Sequence, residues 1–420
     1  MSIRQAAFVG VGAMVGAGIF SLLGAAGEVA GAAVWLSFVI AGCIAGLQGY
    51  SFAKLGAKYP SAGGLIEYVD RGFGDGHFTR TTAWLAYAVN VVITAMVASS
   101  FGSYASAAFA DGDPTWTKLF AVLIVVAMTA VNIVGSMIVA RAQTVIVFVV
   151  IGILTLFSVA TLLNITPELL APAGYPPVRD IFSSVALTFF AFLGFGIVTF
   201  TAKDLKDPSR ELPKAMYLAL GIATVVYVAV SLGVFGTLTV QEVIASGGTA
   251  IAVAAEPVLG QAGYWLMSLT ALFATSGATN AGLYPATGLC DHLVESRQFP
   301  PVMSRRIAGR ASAGLLFVTL GCIALVLGFD LNAIASIGSA VALTVFALVT
   351  VAHVRVRADT GASLGMLALA LATIMIALLA FVFGELIYEP AAVVALVGIL
   401  LLSIGLDLAW TRARDRSHSG

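Results

Sequence analysis

Apolar stretches long enough to cross a bilayer recur along this 420-residue chain, and they constrain its fold more than any other feature. A membrane-spanning helix needs about 20 consecutive apolar residues. The mean hydropathy of +1.02 and the charged fraction of only 10% agree with repeated spans of this kind. The pattern predicts an all-α polytopic membrane protein with twelve spans, at about 5–26, 31–53, 82–109, 117–135, 141–163, 181–202, 214–237, 262–292, 312–328, 331–354, 363–383 and 390–410.

The basic residues are distributed unevenly between the loops. All but Lys118 and Arg179 of the 21 lysines and arginines fall at the two termini or in the loops after spans 2, 4, 6, 8 and 10. Because basic residues are retained on the cytoplasmic side of membranes, both termini are predicted to be cytoplasmic, which requires an even number of spans. We therefore expect a multi-pass protein of the cell (inner) membrane. The formal net charge of zero indicates no nucleic-acid partner.

Glycines cluster in the middle of two spans that enter the membrane from opposite sides. Span 1 contains GAMVGAGIF at 12–20, and span 6 contains GFGI at 194–197. An unwound backbone at membrane depth is tolerated only where it is buried or lines a cavity. Paired breaks near the midplane, five spans apart, are typical of transporters built from two inverted repeats. The pattern therefore predicts that spans 1 and 6 are broken helices at a ligand site.

Breaks of this kind have a defined chemistry. The half-helix that begins near Ala17 presents unpaired N–H groups and a positive dipole end, which suit a carboxylate. In span 6, a first half that ends near Leu193 presents unpaired carbonyls and a negative dipole end, which suit an ammonium group. Together the breaks predict a receptor for a zwitterion. The alternative is helix packing, because Gly12-x-x-x-Gly16 is also a spacing that lets helices approach closely.

Few other polar groups lie deep in the spans. The deepest stretches contain no Asp or Glu, which favours a substrate without net charge and leaves the coupling ion open. Span 8 carries a polar cluster of Thr275, Ser276, Thr279 and Asn280, which together with Gly12 either binds an ion such as Na⁺ or lines the pocket. The equally open alternative is that the cluster's hydroxyls bond to their own helix.

Nothing in the sequence indicates catalysis. The three cysteines are scattered without metal-ligand spacing, and the four histidines lie at or beyond the ends of spans. An enzyme needs a nucleophile, a metal or an acid–base pair, and no such set is present. We therefore expect no enzyme activity, no cofactor and no metal site.

Three motifs in order identify a family resemblance that covers nearly the whole chain. Span 1 carries GAGIF at 16–20, the loop after span 2 carries YPSAGG at 59–64, and span 6 with its exit carries FFAFLGFG at 189–196 and PSRELP at 208–213. In these motifs the chain resembles the amino acid–polyamine–organocation (APC) superfamily. It is most similar to bacterial relatives of the cationic amino acid transporters.

The resemblance implies alternating-access transport of amino acids across the bilayer, driven by H⁺ or Na⁺, with the oligomeric state open. It implies one membrane domain with inverted repeats at 1–163 and 181–354, and spans 11 and 12 outside them at 363–410. It also places an aromatic gate at Phe190. The implied substrate-binding residues are Ala17, Gly18 and Ile19 for the carboxylate, Met14 or Val15 together with Phe190 and Leu193 for the amino group, and the glycines of the breaks, Gly16, Gly194 and Gly196.

Two departures from the family pattern bear on the substrate. Relatives often carry an acidic residue where this chain has Gly196, and Ala-Glu-Glu where it has Ala202-Lys203-Asp204. The loss of these acids favours small or neutral amino acids over cationic ones as substrates. The alternative function is a transporter or exchanger of polyamines or other organic amines. Proton-coupled relatives often carry a lysine in span 5, whereas residues 145–157 of this chain carry no charge. This absence favours Na⁺ coupling or exchange.

Overall fold

The computed structural model describes residues 1–60, 64–134, 137–307, 311–388 and 390–418, so positions 61–63 of the YPSAGG motif lie outside the described residues. The α-helices are α1 Ile3–Met14, α2 Ala17–Ser21, α3 Leu23–Ala30, α4 Val34–Lys58, α5 Leu65–Phe73, α6 His77–Phe109, α7 Pro114–Val134, α8 Met137–Leu163, α9 Val178–Phe190, α10 Pro208–Phe235, α11 Val240–Ser246, α12 Ala250–Leu283, α13 Pro285–Glu295, α14 Ala313–Gly328, α15 Leu331–Arg355, α16 Arg357–Thr360, α17 Leu364–Tyr388 and α18 Pro390–His418. The 3-10 helices are Gly31–Ala33, Pro167–Leu170, Pro172–Gly174, Leu193–Asp204, Gly247–Thr249 and Pro301–Ser304. Two short antiparallel strands, β1 Arg306–Ile307 and β2 Ala311–Ser312, complete the described elements.

Ten helical segments of the described chain are long and apolar enough to cross a bilayer. α9 and the start of the 3-10 helix Leu193–Asp204 satisfy the same test together, with a bend of 42° between them. α14 is apolar but shorter. The all-α polytopic fold is therefore confirmed, while the count of twelve spans and the inverted repeat remain predictions.

The predicted span 262–292 is divided in the structure. α12 ends at Leu283 and α13 begins at Pro285, which has no N–H to donate to the preceding turn, so the ladder of helical hydrogen bonds is interrupted there. α12 also begins earlier than predicted and is kinked at Gly260. The φ of this residue is +69°, in the left-handed region that favours glycine.

Two helices organise the bundle around the broken spans. α6 packs against α7, α12, α14, α15 and α18, and α4 packs against α9, α10 and α17. α1 lies against α10 and against the 3-10 helix Leu193–Asp204. The first halves of the two broken spans are thus enclosed by long helices, which bury the middle of both.

A buried ion pair fixes α18 to α6. Arg80 Nε donates to Asp407 Oδ1 over 2.7 Å, and both side chains are buried. Asp75 accepts from Arg80 over 2.9 Å, and His77 Nδ1 lies 2.6 Å from the second oxygen of Asp407. A buried charge is tolerated when it is paired and hydrogen-bonded, so these contacts favour one fixed position for α18.

Candidate functional site

The first break lies at Val15 and Gly16, as the glycine phrase predicted. α1 ends at Met14, and the Gly16 N–H turns back to donate to the Met14 carbonyl over 2.9 Å. Val15, with φ −78° and ψ 72°, is the central residue of this inverse γ-turn, which is not part of a regular helix. α2 begins beyond it at Ala17.

The second half of span 1 directs its amino end at the break. α2 is short, but Leu22 joins it to α3, because the Leu22 N–H donates to the Gly18 carbonyl at 3.2 Å and the Ala26 N–H donates to the Leu22 carbonyl at 2.8 Å. The first N–H groups of a helix have no partner within it and carry the positive end of its dipole. Here they belong to Ala17, Gly18 and Ile19, the residues that the resemblance assigns to the carboxylate.

The second break comes earlier in span 6 than predicted. α9 ends at Phe190, and after Ala191 and Phe192 the chain continues as a 3-10 helix that begins at Leu193. The prediction that the first half ends near Leu193 is therefore wrong. A 3-10 helix pairs each carbonyl with the N–H three residues on, so the Leu193 carbonyl is engaged within that helix. The carboxyl end of α9, at Phe190, is the remaining source of carbonyls for an ammonium group.

The two breaks touch each other through glycines. A Cβ built on Gly18 would lie 2.5 Å from the Cα of Ala191, and one on Gly194 would lie 2.4 Å from the carbonyl group of Ala13. No side chain is accommodated at such distances, so both positions require glycine for close approach. Helix packing and helix breaking are therefore both roles of these glycines, because the surfaces that pack together belong to the two breaks.

The other glycines of the predicted site have different neighbours. A Cβ on Gly16 would lie 3.1 Å from the Cβ of Ala278 in α12, and one on Gly12 would lie 2.5 Å from Val147 in α8. Gly12 therefore packs against α8. At Gly196 the nearest atom would be 3.7 Å away, on the Phe52 ring, which is ordinary contact. A Cβ is therefore accommodated at this position, in contrast to Gly18 and Gly194.

Two buried tyrosines that sequence reasoning missed hold carbonyls beside the breaks. The Tyr104 hydroxyl donates to the Phe20 carbonyl in α2, and the Tyr227 hydroxyl donates to the Ala191 carbonyl in the second break, each over 2.9 Å. A tyrosine inside an apolar span was the available signal, because a buried phenol normally has a partner. The hydroxyls of Ser21 and Ser100 are also hydrogen-bonded, which links α2 to α6 a second time.

The polar cluster of span 8 lies next to the first break, where Ala278 faces Gly16, and its side chains are already hydrogen-bonded to protein groups. The hydroxyls of Thr275, Ser276 and Thr279 donate to carbonyls of their own helix at 2.7, 2.6 and 2.8 Å. The Asn280 side-chain oxygen accepts from the Asn132 amide over 2.8 Å. The interpretation of these hydroxyls as bonded to their own helix therefore describes this structure, and a role in ion binding remains a prediction.

An aromatic cluster lies on the predicted cytoplasmic side of the second break. Its members are the buried side chains Phe52 of α4, Tyr68 of α5, Phe195 of the 3-10 helix and Phe346 of α15. The ring centroids of Phe52, Phe195 and Phe346 are 5.2 to 5.3 Å apart. Burial raises the pKa of the Tyr68 phenol well above its usual value, so the hydroxyl stays protonated beside its hydrogen-bond partner Thr199. The cluster joins four elements on this side of the break, which predicts that it closes this side to solvent.

Two polar pairs tie α4 to α15 next to the aromatic cluster. The Thr350 hydroxyl donates to the Gln48 side-chain oxygen over 3.1 Å, and Nδ1 of His353 lies 3.0 Å from the Ser51 hydroxyl. Gln48 also donates to a backbone carbonyl of α17 over 3.0 Å. These pairs satisfy polar groups that would otherwise be buried without partners.

Comparisons with known proteins agree with this architecture. A family profile described as amino acid permease matches residues 1–402. An inner membrane transport protein of Escherichia coli (strain K12) is 32% identical over 96% of this chain and 94% of its own length. A branched-chain amino acid permease of Bacillus subtilis is 26% identical over 53% of this chain and 51% of its own length. A vacuolar cationic amino acid transporter of Arabidopsis thaliana is 27% identical over 70% of this chain and 49% of its own length.

These matches confirm the resemblance to the APC superfamily. The relatives are named as transporters and permeases, which identifies this chain as a transporter and not an enzyme. Its apolar helices identify it as a multi-pass membrane protein. The chain belongs to the amino acid permease family.

Proposed function

We propose that this permease carries small or neutral amino acids by alternating access and binds them as zwitterions between the two breaks. The contact of the breaks at Gly18 and Gly194 carries the proposal, because it brings the amino end of α2 close to the carboxyl end of α9. The amides of Ala17, Gly18 and Ile19 receive the carboxylate. The carbonyls of Phe190 and of Met14 or Val15 accept from the ammonium group.

The charge of the site favours substrates with a single amino group. The two stretches that form the breaks, 12–20 and 189–197, contain no acidic residue. A second positive charge on the substrate would therefore be desolvated without a carboxylate to compensate it. One relative is named a cationic amino acid transporter, so a substrate with a second positive charge, such as a polyamine or other organic amine, is the alternative.

The helix contacts support the five-plus-five repeat on which alternating access depends. α1, which belongs to span 1, contacts α10 of span 7 and α8 of span 5. α9, which belongs to span 6, contacts α4 of span 2 and α15 of span 10. Exchanging each span with the one five positions away converts the first set of contacts into the second. The contacts of α6 with α15 and of α12 with α8 follow the same exchange.

This symmetry supports units at 1–163 and 181–354, with the last two spans at 363–410 outside them. The distribution of basic residues supports cytoplasmic termini, and the relative from Escherichia coli supports the inner membrane. The proposed coupling ion is H⁺ or Na⁺. Thr275 is the residue to test for Na⁺, because it is one turn from Ala278, which faces Gly16.

Uptake of radiolabelled substrates into proteoliposomes tests the proposal. Alanine, leucine, arginine, putrescine and ethanolamine are supplied separately, with an imposed Na⁺ gradient or pH gradient. We expect uptake of alanine or leucine to exceed that of putrescine. Gly18→Leu is expected to abolish uptake because no side chain is accommodated beside Ala191, whereas Gly221→Leu, with open space around it, is the control. Normal uptake by Gly18→Leu, or uptake of putrescine alone, contradicts the proposal.

A further inference from the structure

The Phe190 ring at the second break rests on a glycine of another span. A Cβ built on Gly338 of α15 would lie 2.7 Å from Cε2 and 3.1 Å from Cδ2 of Phe190. The same Cβ would lie 3.1 Å from Cγ1 of Val92 in α6, so three helices meet at this point. The ring therefore occupies the space that any side chain at position 338 would need.

Phe190 also borders accessible space, in contrast to its aromatic neighbours. It retains 5% exposure, whereas Phe189 and Phe192 have none. The next residue of α15 after Gly338, Ser339, is fully buried, and its hydroxyl has no hydrogen-bond partner among the described residues. A buried hydroxyl without a protein partner calls for a water molecule or a ligand. The exposed edge of Phe190 places its contact with Gly338 at the border of accessible space beside the second break, and Ser339 is the next residue of α15.

We propose that Gly338 is a specificity-determining residue, which lets the Phe190 ring lie against α15 and so keeps room at the breaks for the substrate side chain. The inference rests on the proposed function, because it assigns the size limit of the same site. A methyl group at position 338 displaces the ring from α15 towards the breaks. The room for the substrate then shrinks, so that small amino acids are still carried and bulky ones are rejected.

Uptake ratios in proteoliposomes test this inference. One methylene in an apolar pocket discriminates by about 10-fold to 200-fold, so Gly338→Ala is expected to lower the ratio of leucine to alanine uptake by about tenfold or more. Gly221→Ala in α10 is the matched control, because its Cβ would meet no atom of the described chain within 4 Å and the change in helix propensity is the same. The control should leave the ratio unchanged.

A second-site variant separates ring displacement from general damage. Phe190→Leu removes the Cε2 atom that the new methyl group would strike. Adding Gly338→Ala to Phe190→Leu should therefore change the uptake ratio and the thermal unfolding temperature in detergent much less than Gly338→Ala changes them in the unmodified protein, with only the tight contact to Val92 remaining.

Three outcomes overturn the inference. The first is an unchanged ratio of leucine to alanine uptake in Gly338→Ala, and the second is an equal loss of alanine and leucine uptake. The third is a loss of stability on Gly338→Ala that is as large in Phe190→Leu as in the unmodified protein, because it indicates that the methyl group separates the helices and does not move the ring. If the unmodified protein carries no amino acid, the proposed function itself fails and this inference falls with it.

Discussion

The Tyr227 hydroxyl offers a selective perturbation of the second break. It donates to the Ala191 carbonyl over 2.9 Å from a fully buried side chain. Its ring packs against Phe38 and Phe192 at centroid distances of 5.4 and 5.1 Å. Tyr227→Phe retains the ring and removes only the hydrogen bond. A buried carbonyl that loses its partner costs about 1–3 kcal/mol, so we expect the free energy of unfolding to fall by about that amount.

Two assays check this expectation. Titration of the purified protein with SDS in a mild detergent measures stability, and uptake into proteoliposomes measures transport. Tyr217→Phe is the matched control, because Tyr217 lies on the same helix and its side chain is 44% exposed. We expect Tyr227→Phe to unfold at a lower SDS fraction and to transport more slowly, with the control unaffected. Unchanged stability together with unchanged uptake would refute the view that this hydroxyl holds the break.

Three further predictions concern other contacts of the bundle. Gly194→Ala places a Cβ 2.4 Å from a backbone carbonyl of α1, so we expect proteoliposome uptake to be lost; undiminished uptake contradicts the close contact of the breaks. Asp407→Asn removes the buried carboxylate from Arg80 and leaves it only the half-exposed Asp75, so SDS titration should show a loss of at most about 3–5 kcal/mol, which the double replacement Arg80→Met with Asp407→Leu largely recovers. Phe195→Ala opens the aromatic cluster. To detect this, a cysteine replaces Gly196 in a protein whose three native cysteines have been removed. With Phe195→Ala this cysteine should react faster with an impermeant thiol reagent added from the predicted cytoplasmic side. Equal reaction rates with and without the Phe195 ring count against closure by this cluster.

The position of the first break was predictable from local sequence, whereas that of the second was not. Gly16 lies in the first break, so the glycine phrase marks the place directly. In span 6 the helix ends at Phe190, before a pair of residues, Ala191 and Phe192, that carry no helix-breaking signal. The glycine at position 194 instead serves the close contact with α1. The actual break is stabilised from outside the span, by the hydroxyl of Tyr227.

The partners of single polar residues also lay beyond sequence reasoning. Gln48 and Ser51 each pair with a side chain of α15 that is 302 positions away, and no local pattern joins them. The span 8 hydroxyls show the opposite case. Their bonds to carbonyls four residues earlier are a local feature of helices. The sequence alone was therefore enough to state, as one of two alternatives, that these hydroxyls bond to their own helix. Tertiary contacts therefore decide which polar groups remain free for a ligand.

The central claim is that both charged ends of an amino acid are held between the two breaks. Binding of alanine, alanine methyl ester and N-acetylalanine to the purified protein, measured by calorimetry at one pH and salt concentration, tests it most directly. The ester lacks the carboxylate that the amides of Ala17 and Gly18 receive, and the acetylated form lacks the ammonium group that the Phe190 carbonyl accepts. We predict that alanine binds and that each derivative binds at least about tenfold more weakly, because a hydrogen bond to a charged group contributes about 1.5–3 kcal/mol. Equal binding of alanine and either derivative would contradict the claim.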